Sequence, residues 1–408
     1  MKKSLLALAA LGAFAGAAHA QSSVTLYGII DEGFNYTSNV QTAGTPRRSG
    51  NHLYNLSSGV LQGSRWGLRG AEDLGGGLKA VFVLEGGFDV NSGALGQGGD
   101  LFGRQAYVGL SSQFGTVTMG RQYDSVVDYV GPLEAGDQWG GYIAAHPNDL
   151  DNFNNANRVN NAIKFTSANY AGLTFGGMYS VGGVAGATGK NQIYSVGAGY
   201  NNGPLVLGVG YLNVRDPNTS FWGNQPNASA TGGNNIGNAT LTGVQKNPVI
   251  AGFATAHTYQ VAGAGGAYTI GAATLGVTYS FIQFSALGAD PVTSTAASPV
   301  PGYRGTATFN NGEINFKYQL TPALVLGAAY DYTRLADFNG HGGGHYNQGA
   351  LGADYFLSKR TDVYLIGVYQ HASGTDSTGQ QAVASINGLT PSNANHQTTV
   401  RVGIRHKF

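Results

Sequence analysis

Between Arg121 and Arg158 the chain carries six carboxylates, on Asp124, Asp128, Glu134, Asp137, Asp149 and Asp151, and residues 123–157 contain no Lys or Arg. Folded against a basic surface, such a segment would set opposed rows of charge across a gap, and the transverse field would orient dipolar solutes and screen ions. Left in solvent, its charges would only keep it soluble. Trp139, Tyr142, Ile143 and Phe153 favour the folded arrangement, because a solvated loop has little use for large apolar side chains. Enzymatic chemistry is poorly provided for. His341 and His345 flank three glycines, a spacing that could serve an oxyanion hole or a two-histidine metal site. No Gly-x-Ser-x-Gly elbow accompanies them, no carboxylate stands beside them and the chain has 0 Cys, so they read as a polar loop. Asp73 with Gly75 to Gly77 imitates a phosphate loop, but it follows a strand without opening a helix and reads as a hairpin turn. No cofactor or metal is expected.

The elements that must position these residues are strands. The last eleven residues, Thr398 to Phe408, put Val400, Val402 and Ile404 on one face and Arg401, Arg405 and Lys407 on the other, and end on an aromatic. Period-two alternation between apolar and charged faces is the pattern of a strand with lipid on one side and water on the other. Similar alternation marks sixteen candidate strands, including residues 24–36, 64–72, 274–284, 313–318 and 361–371, the last apolar on both parities. Seven short turns rich in Gly, Asn, Pro and Asp alternate with eight longer polar segments, of which residues 215–256 form the longest. Short turns at one end and long loops at the other describe an all-β transmembrane antiparallel barrel with both termini on the periplasmic side.

The amino terminus agrees. Lys2 and Lys3, an apolar run from Leu5 to Ala17 and Ala18-His19-Ala20 read as a signal peptide over residues 1–20, leaving residues 21–408 as a single barrel domain. No later stretch approaches the roughly 20 apolar residues of a spanning helix. With 11% charged residues, 42% hydrophobic and 66 glycines, the chain resembles neither a cytosolic domain nor a helical membrane bundle, although composition alone leaves a soluble β-sandwich array open. Removing Lys2 and Lys3 leaves 20 basic against 21 acidic residues, a balance that implies no nucleic-acid partner. The 23 Tyr and 18 Phe suit aromatic rings at two membrane interfaces.

Alternation turns Arg65, Arg69, Lys79, Lys164, Lys317, Arg401, Arg405 and Lys407 inward, with Asp31, Glu85, Glu313 and Asp331. Charges at that density should not be buried dry, so a wet interior is expected, and sixteen strands leave room for one. Glu32 shares the apolar parity of Leu26, Ile30 and Phe34, which places it at the rim, in a bulge or at a subunit interface.

Five stretches carry a resemblance that covers essentially the whole chain: residues 21–28 (QSSVTLYG), 63–78 (GSRWGLRGAEDLGGGL), 102–110 (FGRQAYVGL), 117–122 (VTMGRQ) and the terminal RHKF. They resemble the general bacterial outer-membrane porins, in particular the trimeric Gram-negative porin family of β-proteobacteria. The resemblance implies a homotrimer of sixteen-stranded barrels in the cell outer membrane, each with its third loop folded into the lumen as a constriction. It assigns the basic side of that constriction to Arg65, Arg104 and Arg158. Gly131-Pro132-Leu133-Glu134 falls where the family has a Pro-Glu turn, which makes Glu134 the first acidic candidate, followed by Asp128 and Asp137. Phe408 supplies the terminal aromatic of the assembly signal, although His406 departs from the usual pattern two positions earlier. The implied function is passive diffusion of small hydrophilic solutes and ions, without catalysis. The partners are outer-membrane lipid, lipopolysaccharide and the barrel-assembly machinery. Adhesion by the long loops, through a plugged barrel, and a substrate-specific channel are the rival readings.

Overall fold

The computed structural model describes residues 23–42, 50–224, 232–238, 240, 244–295 and 298–408; the expected signal peptide lies outside them. Seventeen strands occur among these residues. The first six are β1 (Ser23–Gln41), β2 (Gly50–Ser58), β3 (Arg65–Gly75), β4 (Leu78–Gly87), β5 (Gln105–Ser112) and β6 (Gly115–Gln122). Then come β7 (Val159–Ser167), β8 (Leu173–Ser180), β9 (Ile193–Asn202), β10 (Leu205–Arg215), β11 (Thr258–Ile270) and β12 (Ala273–Leu287). The chain finishes with β13 (Gly305–Thr321), β14 (Leu324–Leu335), β15 (Gly344–Phe356), β16 (Thr361–Gly374) and β17 (His396–Lys407).

All neighbours pair antiparallel and the sheet closes on itself. One edge of β1 pairs with β17, from Ile29 opposite Lys407 to Thr37 opposite Thr399. Its other edge pairs first with β3, from Ser23 opposite Ala71 to Ile29 opposite Arg65, and then with β2, from Glu32 opposite Ser58 to Gln41 opposite Gly50. β2 and β3 therefore share one position in the wall, and the barrel has sixteen. Closure satisfies the backbone internally, which a lipid environment requires. The outer surface is apolar: Val400, Val402 and Ile404 of β17 and Leu275, Val277, Tyr279 and Phe281 of β12 are exposed, as alternation expects.

β2 was not anticipated, although Tyr54 and Leu56 alternate with Asn55 and Ser57 in the way its neighbours do. The break that follows it matters more than the strand. Residues 59–64 leave the wall and turn into the lumen, where Val60 and Leu61 are buried and Gln62 N–H donates to Asp31 Oδ2 at 2.7 Å. Glu32 lies opposite this break, across from Ser58.

The interior is less wet than the inward charges suggested. Arg401 and Asp31 are both fully buried, with Nη2 3.2 Å from Oδ1. The Arg401 guanidinium also donates to Asn35 Oδ1 (2.8 Å), Ser57 Oγ (2.9 Å) and Tyr364 Oη (2.7 Å), and Tyr364 Oη donates to Asp31. Pairing and hydrogen bonding make the burial tolerable, and residues 59–64 help to produce it, together with segments folded inward elsewhere in the lumen. Residues 123–158, between β6 and β7, cross the lumen as a short helix α1 (Ser125–Tyr129) followed by further single turns, including one over Gly136–Gly140. Residues 244–256 and 375–395 also turn inward from the β10–β11 and β16–β17 connections, burying Val249, Ile250, Phe253, Ala382 and Ile386.

These insertions reverse the polarity rule at the loop end of the barrel. Ala307 and Phe309 occupy inward positions of β13, and Phe309 packs with Phe253 and Phe284. The alternation that identified only residues 313–318 therefore continued unrecognised to Gly305. Residues 361–371 are apolar on both parities for a related reason: Tyr364, Ile366 and Val368 face inward against Trp139, Ile143 and Ile386.

Trp139 lies against two paired inner-wall glycines, Gly327 of β14 and Gly352 of β15. A Cβ on Gly327 would lie 2.1 Å from Trp139 Cδ2. Gly327→Val is expected to eject the indole and loosen the 123–158 loop, raising single-channel conductance and exposing the loop to protease while the barrel stays folded. Arg401→Leu leaves Asp31 buried without its cation and should cost about 3–5 kcal/mol, read as a lower urea midpoint; Arg69→Leu, at an exposed site, should shift it far less.

Candidate functional site

The lumen beside the 123–158 loop holds a cavity of about 750 Å³ lined by Arg65, Arg104, Arg158, Tyr123, Asp128 and Asp137, among others. The three arginines come from three different places in the wall. Arg65 opens β3 immediately after the strand break, and its Nε donates to Gly63 O at 3.0 Å. Arg104 immediately precedes β5 and Arg158 immediately precedes β7, so both sit where a loop rejoins the wall.

Their charges are fixed in place by two shared partners. Glu85 of β4 accepts from Arg104 Nε at 2.8 Å, lies 3.9 Å from Arg65 Nη1 and accepts from Tyr27 Oη at 3.0 Å. Arg104 Nη2 donates to Tyr123 Oη at 2.8 Å, and Arg158 stacks over the Tyr123 ring at 5.5 Å. Arg158 also donates to Ala156 O (3.0 Å) and Asn155 Oδ1 (2.9 Å). Glu85 balances one of the three cations, which leaves the wall with a net positive face.

The loop supplies the opposing side. Asp137 is exposed to the lumen and accepts from Asn154 Nδ2 at 2.8 Å. Confinement inside the barrel pushes its carboxyl up to about 7, against the pull of Arg65 and Arg104. Asp128 lines the same cavity but is paired with Lys164, whose Nζ also donates to Tyr123 O at 2.9 Å. Glu134, expected to be the leading acid on the loop, does not face the lumen. It is fully buried, and its Oε1 accepts from His146 N at 2.8 Å on the side of the loop turned to the wall. The turn that carries it is held there because Ala135 N–H donates to Glu313 Oε1 at 2.9 Å.

Several contacts that hold this geometry are not read from the sequence, although Asp124 and Tyr142 are singled out there for charge and bulk. Asp124 caps α1 by accepting from Val126 N (2.9 Å) and Val127 N (3.3 Å), and Ser125 bonds to Ser195 of β9 at 2.9 Å. On the opposite side Tyr142 N–H donates to Val60 O at 2.9 Å, so the strand break and the loop support each other. Tyr259 Oη of β11 donates to Leu150 O at 2.8 Å, and Asn148 Nδ2 donates to Ser385 Oγ at 3.0 Å, tying the loop to the wall and to the inward segment 375–395. The legible signals were the apolar runs 249–254 and 382–386 inside segments that otherwise read as polar loops. At the chain end, Phe408 and Gly28 exchange backbone hydrogen bonds of 3.0 and 3.1 Å.

This chain and its architecture have parallels among known proteins. The sequence profile of the family described as Gram-negative porin matches residues 7–376. An outer membrane porin protein of Bordetella pertussis is 34% identical over 434 residues, and outer membrane porin protein 32 of Delftia acidovorans is 31% identical over 433, each alignment covering 100% of both chains. Among solved structures, an anion-selective porin from Comamonas acidovorans superposes with a TM-score of 0.69 at 22% identity, covering 95% of this chain and 100% of that one. The trimer form of OmpT from Vibrio cholerae gives 0.61 at 15% identity, covering 95% and 99%. The chain belongs to the Gram-negative porin family, and its barrel is an outer-membrane channel.

Proposed function

We propose that the protein is a general diffusion porin in which Arg65, Arg104 and Arg158 face Asp137 across the constriction, with Asp128 beside them held by Lys164. The observation that carries this reading is the shared cavity, with three guanidinium groups on one side and a loop held across the lumen on the other. Small hydrophilic solutes and ions pass down their gradients, selected by size and by the transverse field, without a catalytic step. Glu85 offsets one arginine and Lys164 offsets Asp128, which leaves two arginines facing Asp137 and Asp89, so the balance turns positive and favours anions as Asp137 takes up a proton. The anion-selective porin named above supports the same preference.

The functional unit in this proposal is a homotrimer, supported by the likeness to a solved trimer form. Residues 1–20 act as a removable leader, residues 21–408 form the mature barrel, and Phe408 presents the terminal aromatic to the assembly machinery. The outer loops meet lipopolysaccharide and the apolar outer wall meets lipid.

Single-channel recording in a planar bilayer under a salt gradient tests the core of the reading. Discrete steps that close in threes at high voltage are expected, with a reversal potential on the anion side. A folded, inserted barrel that passes no current would overturn it. Replacing Arg65, Arg104 and Arg158 together with Gln should carry the reversal potential toward cations; an unchanged value would remove them from the constriction. Because Asp137 gains a proton as pH falls through about 7, anion preference should strengthen between pH 8 and 6. Asp137→Asn should flatten that dependence and fix selectivity near the acid-side value.

A further inference from the structure

The loop is fastened to the wall by more negative charge than its one imidazole balances. Glu134, His146 and Asp151 are fully buried, and Asp149, Glu313 and Asp331 are nearly so. Five carboxylates thus share a region sealed from water with a single histidine. Ionised acids in such a place need a cation or a proton.

The arrangement of individual atoms favours a cation. His146 Nδ1 lies 2.7 Å from Asp151 Oδ2, and that oxygen also accepts from Ser280 Oγ at 2.6 Å. A ring proton at Nδ1, facing Asp151, puts the lone pair of the neutral imidazole on Nε2. Nε2 has no hydrogen-bond partner and stands 3.8 Å from both Glu313 Oε2 and Asp331 Oδ2. Glu313 is anchored through Oε1, which accepts from Ala135 N (2.9 Å) and Asn315 Nδ2 (2.7 Å), while its Oε2 has no partner. Glu134 is anchored in the same way through Oε1, and its Oε2 is also without a partner. Glu134, His146 and Glu313 can each offer one ligand atom within 4.8 Å of the other two.

A separation of 3.8 Å is too long for a hydrogen bond and close to what two ligands of one ion require. A nitrogen and an oxygen each about 2.0–2.2 Å from tetrahedral zinc stand about 3.4 Å apart. A carboxylate behind the imidazole, holding its other nitrogen, is the usual support of a metal-bound histidine. One imidazole nitrogen among carboxylate oxygens selects a first-row divalent ion over magnesium or calcium.

We propose that His146 Nε2, Glu313, Glu134 and Asp331 bind one divalent cation, zinc by the character of the donors, and so clamp the constriction loop to β13 and β14. The ion offsets two of the five negative charges and joins the bare Oε2 atoms of Glu134 and Glu313 through one centre, beside Asp331 Oδ2, which already accepts from Asn311 Nδ2. Because the site is sealed, the metal enters as the loop docks during folding and leaves slowly afterwards. The clamp is independent of which solutes the pore passes.

The test is metal content, which needs no conductance measurement. The full chain is refolded with excess zinc, freed of loose metal by chelator and gel filtration, and analysed by plasma mass spectrometry. Wild type should retain close to one zinc per protomer and melt at a higher temperature than protein refolded in chelator. His146→Gln and Glu313→Gln should retain about a tenth or less. A wild type that retains no zinc would show that shared protons balance the acids and would overturn the proposal. Equal retention in wild type and both variants would overturn it as well, by moving the metal to another site. Should the variants fail to fold, X-ray absorption on zinc-loaded wild type decides: one imidazole with oxygen ligands at about 2.0–2.2 Å supports the site, and a shell lacking imidazole excludes it.

Discussion

In hydrocarbon, each unpaired backbone N–H or C=O costs several kcal/mol, so this wall exists only because β1 finds a partner on both edges. That requirement shapes much else. β1 spans 19 residues and meets β17 on one side and β3 followed by β2 on the other, because no single neighbour continues unbroken along it. The break at residues 59–64 removes a piece of wall and delivers Val60 and Leu61 to the lumen, where they receive the constriction loop. Placement of Arg65 follows from the same break, since it is the first residue to rejoin the sheet.

The lumen divides into a dry part and a wet part, and the division explains the charge pattern. Where the loop lies against β13, β14 and β16, acids are buried and held by hydrogen bonds, and apolar side chains such as Ile366 and Val368 point inward. Where the loop stands away from β3 and the approaches to β5 and β7, the arginines keep one side of a water-filled gap. Glycines on the dry side let the loop approach closely: a Cβ on Gly208 would lie 1.9 Å from Tyr129 O. The loop is therefore seated in a groove of missing side chains, and its position across the lumen is set by sterics as much as by charge.

Much of the barrel was legible in the chain because lipid imposes a simple rule on the outer face. β12, β17 and the lower part of β13 obey it, and their alternation identifies them directly. The inner face follows no such rule. Phe309 and Ile366 point inward because inserted loops meet them; the two apolar faces of β16 signal that something packs inside, but nothing local in β13 or β16 says that it arrives from residues 244–256 or 123–158. The same limit applies to the site. Arg65, Arg104, Arg158 and Asp137 line the cavity, but Glu134 is turned away by His146 and Glu313, residues 12 and 179 positions along the chain. A carboxylate's neighbours across a lumen are a long-range property, whereas its place on a loop is a local one.

The pairing of Ile29 with Lys407, and of Gly28 with the terminal Phe408, has a consequence for how the molecule is made. The first strand of the wall has no partner on one edge until the final residues of the polypeptide are present. A long unpaired edge is an open template for aggregation, and contacts this distant in sequence form slowly. The ring therefore shuts only when β17 docks beside β1, across nearly the whole separation of the described chain. Along this seam Lys407, His406 and Arg405 cover only Ile29, Ile30 and Asp31, while Glu32 to Thr37 are covered by Ile404 to Thr399, so the lock is graded along its length.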